Sequence, residues 1–361
     1  MGHTLSVGNT NLPQLGPVPE APDIQWRAAR AMTLTPTPPQ FTIQVFLDDR
    51  AERSLPGDVL QGLTSSPKCI APKHFYDARG SVLFEQITKL PEYYPTRSER
   101  EILTSHGAEI ARLTQTRELV ELGSGSAEKA LLLIDPMLAE NTLERYLPVD
   151  VSETALREAS EAIATLHPEL TIHGAVADIT RHLGDLPQSS GGRTVALLGG
   201  TIGNFRPSDR TMLLREMASF AGPAGHVLLG MDKVKDPAVL VAAYDDASGV
   251  TAQFNLNLLA VINRDLGADF KQEDFGHVAL WDSENEWIEM RLRALRDVTV
   301  TIRDLNLKVS FAEGEELQTE TSAKFTRSGA EAELTAAGLQ PVNWFEDEAG
   351  RFALALARPS D

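Results

Sequence analysis

The stretch "LVELGSGSAEKALLLI", Leu119–Ile134, decides how the rest of the chain is read. An apolar run ends at Gly123, a second glycine follows at Gly125, and a helix-like pattern of leucines begins at once. That is the strand, glycine turn and helix of a nucleotide-binding sheet. The turn nevertheless stops short of a dinucleotide fingerprint, because Glu128 stands where the third glycine belongs. A pyrophosphate needs backbone N–H groups at a helix N-terminus and no negative charge nearby. Here Glu121 precedes the turn and Glu128 opens the helix. Such carboxylates disfavour a dinucleotide and suit S-adenosylmethionine, which carries a sulfonium cation, an ammonium group and no phosphate.

On either side of this turn the chain alternates short apolar runs with helical patterns. "ELVELGS", "RYLPVDVS", "IHGAVADI", "TVALLGGT" and "HVLLGMD" read as buried parallel strands. Between them "SAEKALLLIDPMLA", "SETALREASEAIATLH", with Ser152 as N-cap, and "PSDRTMLLREMASF" read as helices. The pattern predicts an α/β fold with a Rossmann-like, doubly wound sheet and ligand chemistry at the strand C-termini. After Asp232 the alternation breaks. A long helical stretch, "DPAVLVAAYDDASGVTAQFNLNLLAVINRDL", precedes the strand-like "EWIEMRLRA", "DVTVTIRDLNLKVSF" and "QTETSAKF"; "SGAEAELTAAGL" and "FALALAR" then restore the first pattern. Residues 98–233 and 325–361 are therefore expected to form the sheet domain, and residues 58–97 and 234–324 an α+β subdomain inserted over the strand ends. Residues 1–57, with prolines crowded into "LPQLGPVPEAP" and "TLTPTPPQ", read as a mostly extended leader.

Composition narrows the partners. The 361 residues are 42% hydrophobic and 23% charged, ordinary for a globular protein, and 33 Lys plus Arg against 51 Asp plus Glu give a net charge of −18. That balance repels phosphate backbones and anionic lipid, so neither nucleic acid nor membrane is expected as a partner. The one cysteine, Cys69, excludes an intrachain disulfide and any multi-cysteine metal site, and fits a cytoplasmic location. No window approaches the roughly 18 apolar residues of a membrane span, and no signal-peptide core is present. "MGHTLS" fits the loose Met-Gly-x-x-x-Ser acylation pattern, but nothing basic or apolar follows as a second anchor. Eight histidines lie without metal-ligand spacing, and there is no Walker loop, Gly-x-Ser-x-Gly elbow or His-Glu-x-x-His, so no metal is expected.

Two aspartates extend the donor reading. Asp150 ends the next strand at the offset where an acidic side chain meets ribose hydroxyls, and Asp178 ends the one after, where it can accept from an adenine amino group. Each could equally be a helix cap. Lys129 could reach the donor's carboxylate, or be a solvated helix-face lysine.

Three further stretches, "HFYDARGSVLFEQITKLPEYYPTRSE", "LLGGTIGNF" and "AYDDASGVTAQFNLNLLAVINRDL", together with "LVELGSGSAEK", closely resemble the histidine-specific Nα-methyltransferases of ergothioneine biosynthesis. The resemblance runs from about residue 58 to the C-terminus. It implies a methyltransferase sheet with a substrate-binding insertion, and methylation of the α-amino group of L-histidine three times by S-adenosylmethionine, giving hercynine. It further implies that Gly123, Gly125, Lys129, Asp150, Asp178 and Ile179 line the donor. Asn204 and Tyr244 would hold the substrate carboxylate, with Asn204 and the Gly199 backbone near the amine. Tyr93, Glu320 and Ser322 would face the imidazole with Met290 beside it, and Tyr76 and Phe84 would wall the amine end, Tyr76 positioning the amine or taking its proton through water. "LLGGT" carries Gly-Gly where the family has Gly-Ser. An asparagine can donate to a carboxylate and accept from an amine, and phenol faces suit a quaternary ammonium. Taken singly, Tyr93, Phe84 and Met290 would be core residues and Glu320 a solvated one. The competing readings are an NAD-dependent oxidoreductase on the same sheet, a non-catalytic S-adenosylmethionine-binding protein, and a methyltransferase of another aromatic amino acid such as tryptophan. A monomer is expected.

Overall fold

The computed structural model describes residues 41–47, 54–125, 127–188 and 191–360. Residues 1–40, including the Met-Gly-x-x-x-Ser start, lie outside them. In chain order the strands are β1 Phe41–Val45, β2 Lys68–Cys69, β3 Glu118–Leu122, β4 Arg145–Asp150, β5 Thr171–Val176, β6 Arg193–Leu197, β7 His226–Asp232, β8 Phe275–Asp282, β9 Trp287–Ala294, β10 Val298–Ile302, β11 Leu307–Phe311, β12 Glu316–Ala323, β13 Leu339–Glu346 and β14 Phe352–Pro359. Eight of them form one sheet in the order β1-β5-β4-β3-β6-β7-β14-β13. Those from β1 to β7 run parallel, and β14 and β13 close the edge antiparallel.

Both faces of this sheet are covered, which is why its strands read as unbroken apolar runs. Val120, Leu122, Val195 and Leu197 join a core on one face, whereas Leu119, Tyr146, Ala196 and Leu228 join a second core on the other. The chain leaves β3 toward β4 and β5, then returns across it to β6. The crevice of a doubly wound sheet opens where that order reverses, at the C-terminal ends of β3 and β6.

A third core belongs to the other elements. Val59, Phe75, Leu83 and Ile87 pack with Leu240, Phe254, Leu258, Met290, Leu292, Phe311 and Leu317. It covers a four-stranded sheet, order β2-β12-β9-β8, and the β10–β11 hairpin. The chain departs β7 and returns at Phe325 side by side: Phe325 N–H donates to the Asp232 carbonyl at 2.8 Å and Val234 N–H to the Phe325 carbonyl at 3.1 Å. The end of β12 is thus fastened to the C-terminal end of β7.

Two sequence expectations are corrected, and two strands are added. The leader does not stay apart to residue 57, because Phe41–Val45 pairs in parallel with β5 and Ser54–Thr64 is helical. The long helical stretch after Asp232 is two helices, Pro237–Tyr244 and Val250–Leu266. Asp246 breaks it by accepting from the N–H groups of Val250 and Thr251 at 3.0 and 2.7 Å, and Gly249 supplies a left-handed residue at φ 71°. Strands β8 and β13 carry no reading in the sequence; seven of the eight β8 residues are half-buried, so no alternation marks that strand. Among the described residues no helix is long and apolar enough to cross a membrane.

Candidate active site

The glycine turn is held by backbone. Gly123 and Ser124 donate to the Val149 carbonyl, and Gly123 and Gly125 sit at φ 67° and 51°, which favours glycine. A Cβ at either position would meet nothing within 4 Å, so the turn faces open space. Asp150 fixes its shape by accepting from Gly125 N–H at 3.1 Å and Ser152 N–H at 2.9 Å. Asp178 accepts from the Thr180 N–H and hydroxyl at 2.9 and 2.6 Å, the local turn that the sequence also allowed, with half-buried Ile179 beside it.

Two charges are not where the sequence argument put them. Glu128 faces solvent and pairs with Arg100 at 2.5 Å. The acidity beneath the turn comes instead from Glu121, which is buried and receives the Tyr146 hydroxyl at 2.5 Å. Desolvation pushes the Glu121 carboxyl up to about 7 against the Tyr146 hydrogen bond and the nearby Lys129 charge. Lys129 does not stand free for a donor carboxylate, because its ammonium pairs at 3.0 Å with Glu99. Burial disfavours that ammonium, but Glu99 and Glu121 outweigh it and raise its pKa. Glu99, fully buried, accepts from the Gly199 N–H at 2.6 Å with its other oxygen. One carboxylate therefore ties the helix after the glycine turn to the loop after β6.

That loop carries Asn204. Gly199 and Gly200 take φ of 76° and 71°, and the turn Thr201–Asn204 follows. Gly203 lies so close to β12 that a Cβ would come within 2.7 Å of the Ala323 carbonyl oxygen. Half-buried Asn204 is thereby set beside the end of β12, and among the described residues no hydrogen bond engages its amide.

Opposite stands an aromatic wall. Ring centroids step from Tyr76 to Phe84 at 5.5 Å, Phe84 to Tyr93 at 6.2 Å and Tyr93 to Tyr244 at 6.4 Å, each nearly edge-on. Phe254 backs Tyr76 and Phe84 at 5.7 and 6.0 Å. The wall is anchored by Asp77, which caps the helix Ala78–Ile87 through Gly80 N–H at 2.8 Å and takes Asn257 and Arg264 at 2.8 and 2.5 Å. Tyr76 keeps 44% of its surface accessible, yet desolvation raises its hydroxyl far above the usual phenol range, with the Glu320, Tyr244 and Asp150 charges adding to the shift.

Strand β12 faces this wall. A register shift between Gln318 and Glu320 sets Glu320 opposite buried Met290, and Thr319 closes the irregularity by donating to the Met290 carbonyl at 3.0 Å. Desolvation pushes Glu320 up to about 7, with Lys324 pulling the other way. At the strand end Tyr244 donates to Ser322 at 2.8 Å, and Lys324 donates to Tyr244 and Ser322 at 2.9 Å each while pairing with Asp232 at 2.9 Å. Asp232 also takes the Tyr94 hydroxyl and the Lys235 ammonium.

The structure thus lines up Tyr76, Phe84, Tyr93 and Tyr244, joins Ser322 to them through Tyr244, and pairs Glu320 with Met290 across β12 and β9. Glu99, Asp232 and Lys324 are partners that the sequence left unread. Signals for them existed. Glu99 sits on the apolar stripe of its helix with Ile102, Leu103 and Ile110, and Glu320, Ser322 and Lys324 share a period of two.

Residues 55–359 match the family described as "Histidine-specific methyltransferase, SAM-dependent", and the chain belongs to it. It is 49% identical to the histidine N-alpha-methyltransferase of Mycolicibacterium smegmatis over 86% of this chain and 96% of that one. It is 47% identical to the enzyme of the same name from Mycobacterium tuberculosis, over the same shares. The ergothioneine biosynthesis protein 1 of Neurospora crassa is 31% identical over 81% of this chain and 34% of its own.

Proposed function

We propose that this chain transfers methyl groups from S-adenosylmethionine to the α-amine of L-histidine, three in succession, yielding hercynine for ergothioneine biosynthesis. The observation that carries the reading is a run of rings, Tyr76, Phe84, Tyr93 and Tyr244, that ends where Tyr244 donates to Ser322 at 2.8 Å and takes the Lys324 ammonium, which pairs with Asp232 at the end of the sheet strand β7.

The chemistry around the turn fits the donor. Open space beside Gly123 and Gly125, buried Glu121 and the Asp150 carboxylate favour a cationic nucleoside over a phosphate. Gly123, Gly125 and Asp150 would hold it on the ribose side, and Asp178 and Ile179 on the adenine side. Lys129 would contribute only while shared with Glu99. The bound donor supplies an electrophilic methyl group. What the protein must do is align a neutral amine with it and exclude water.

Alignment falls to the histidine half-site. The Asn204 amide and the Tyr244 hydroxyl take the carboxylate, and the Asn204 oxygen and the Gly199 backbone border the amine. Glu320 and Ser322 engage the ring between Tyr93 and Met290. An α-amine titrates near 7.7 to 8.0 in peptides and higher in a free amino acid, and the adjacent sulfonium cation favours the neutral form that the transfer needs. Tyr76 is a positioning residue here, since a phenol held above its usual range is a poor base once ionised form is this disfavoured. Tyr76 and Phe84 offer ring faces to the methylated ammonium, worth about 0.5 to 2 kcal/mol. Mass spectrometry of the protein incubated with S-adenosylmethionine and the twenty amino acids tests the assignment. Threefold-methylated histidine is expected, and methylation of some other amino acid in its place would refute it.

A further inference from the structure

We propose that Lys324 is a positioning and specificity-determining residue, whose buried ammonium turns Tyr244 and Ser322 into obligate hydrogen-bond donors, so that the site accepts a carboxylate and a neutral imidazole and refuses an imidazolium. The inference rests on the reading that these two hydroxyls face histidine.

An ammonium has three N–H donors and no acceptor. Lys324 has three partners, the Asp232 carboxylate, the Tyr244 hydroxyl and the Ser322 hydroxyl, each at 2.9 Å, and its side chain is wholly buried. Every donor is therefore matched inside the protein. Asp232 is in turn held by the Tyr94 hydroxyl, whose one hydrogen lies between the two carboxylate oxygens at 2.9 and 2.8 Å, and by Lys235 at 2.5 Å. Burial opposes the Lys324 charge, but Asp232 and Tyr244 outweigh it and hold the amine protonated.

Each hydroxyl thus has one lone pair taken by a fixed cation. Ser322 has both taken, because Tyr244 donates to it at 2.8 Å. What Ser322 has left to offer is its own hydrogen. Tyr244, whose oxygen accepts from Lys324, points its one hydrogen at Ser322 and shares it with a carboxylate lying beside it in a three-centre bond, so Ser322 stays filled. The remaining charged group on this face is Glu320, two residues along β12, which can only accept when ionised. A ring lying across Glu320 and Ser322 meets one acceptor and one donor. A neutral imidazole in a single tautomer matches both, whereas an imidazolium would set an N–H against the Ser322 hydroxyl and leave a buried donor unmatched.

The test begins with the intact wild-type protein. Ring-labelled 15N L-histidine, bound in the presence of S-adenosylhomocysteine, should show one neutral tautomer by NMR from about pH 6 to pH 9, across the range where free imidazole titrates. A bound imidazolium, or two tautomers in exchange, overturns the proposal. In Lys324→Met, Asp232 keeps Lys235 and Tyr94. The KM for histidine should rise at least about tenfold, S-adenosylhomocysteine affinity should stay within about twofold, and the single tautomer should be lost. Lys324→Gln, which restores N–H donors, should recover part of the KM. Unchanged KM and tautomer in the folded methionine variant refute the role of Lys324. Tyr244→Phe and Ser322→Ala separate the two claims: if neither weakens histidine binding, the placement of the substrate is wrong; if both do while Lys324→Met does not, only the Lys324 inference falls. Should Lys324→Met fail to fold, the wild-type spectrum still decides.

Discussion

The donor and histidine half-sites are built in opposite ways. Around the glycine turn the charged side chains are already matched, Asp150 by two backbone N–H groups, Asp178 by Thr180 and Lys129 by Glu99, and only the buried Ser124 hydroxyl is left without a partner there among the described residues. On the other side Glu320 and Asn204 carry no protein hydrogen bond among the described residues, and Tyr244 and Ser322 are held by a buried cation. The first half is a backbone mould whose shape is set without a ligand. The second is a set of side chains whose donors and acceptors wait for one.

The sharpest way to break this contrast is at Asp150. Its carboxylate shapes the turn and is expected to hold a ribose, and charge-assisted hydrogen bonds contribute about 1.5 to 3 kcal/mol each. Asp150→Ala should weaken S-adenosylmethionine binding by about tenfold to a hundredfold in calorimetry, with the histidine KM moving far less. Equal losses on both sides would erase the distinction. Next in size is Asn204→Ala. It should raise the histidine KM about tenfold and leave donor affinity intact, and wild type should handle histamine, which lacks the carboxylate, correspondingly poorly. Efficient histamine methylation contradicts the clamp.

Glu99 probes the tie between the halves. Glu99→Gln keeps an acceptor for the Gly199 N–H and removes the charge opposite Lys129. It should lower kcat about threefold to tenfold with both KM values nearly steady, because a charged hydrogen bond is about twice as strong as a neutral one. A change confined to donor KM would place Glu99 in one half only.

The last effect is on stability. Burial raises both Glu121 and Glu320 to about 7, so the folded protein holds these protons more tightly than the unfolded chain does. The stability they contribute is complete below the ordinary carboxylate range and is lost as pH rises through about 7. Glu320→Gln removes one of these liabilities. Urea midpoints should show the variant more stable than wild type at about pH 8.5, by on the order of 1 to 2 kcal/mol, and no more stable near pH 4. A pH-independent difference would mean that Glu320 is not desolvated in the folded state.

The same contrast explains what could be read without a structure. The glycine turn, Asp150 and Asp178 belong to a continuous strand–turn–helix segment and its neighbours, where spacing alone fixes geometry. The aromatic wall does not. Tyr76, Tyr93, Tyr244, Met290 and Glu320 are far apart in the chain, each is individually ordinary, and only the resemblance of their flanking motifs gathered them. Residues that act through others stayed hidden. Lys324 and Asp232 gain their meaning from the seam where β7 and the end of β12 are hydrogen-bonded, and Glu99 from a helix that crosses beneath two loops. Glu128 misled for the reverse reason, since its position in the motif says nothing of Arg100, which pairs with it.

The central claim is that the ring is held at Glu320 and Ser322 so that the α-amine, and no ring nitrogen, faces the glycine turn. Fragmentation mass spectrometry of the methylated product locates the added groups directly. All three methyl groups should lie on the α-nitrogen, at every stage of a time course. Any methyl group on an imidazole nitrogen would mean that histidine enters the site the other way round, and the placement of ring and amine within the histidine half-site would have to be reversed.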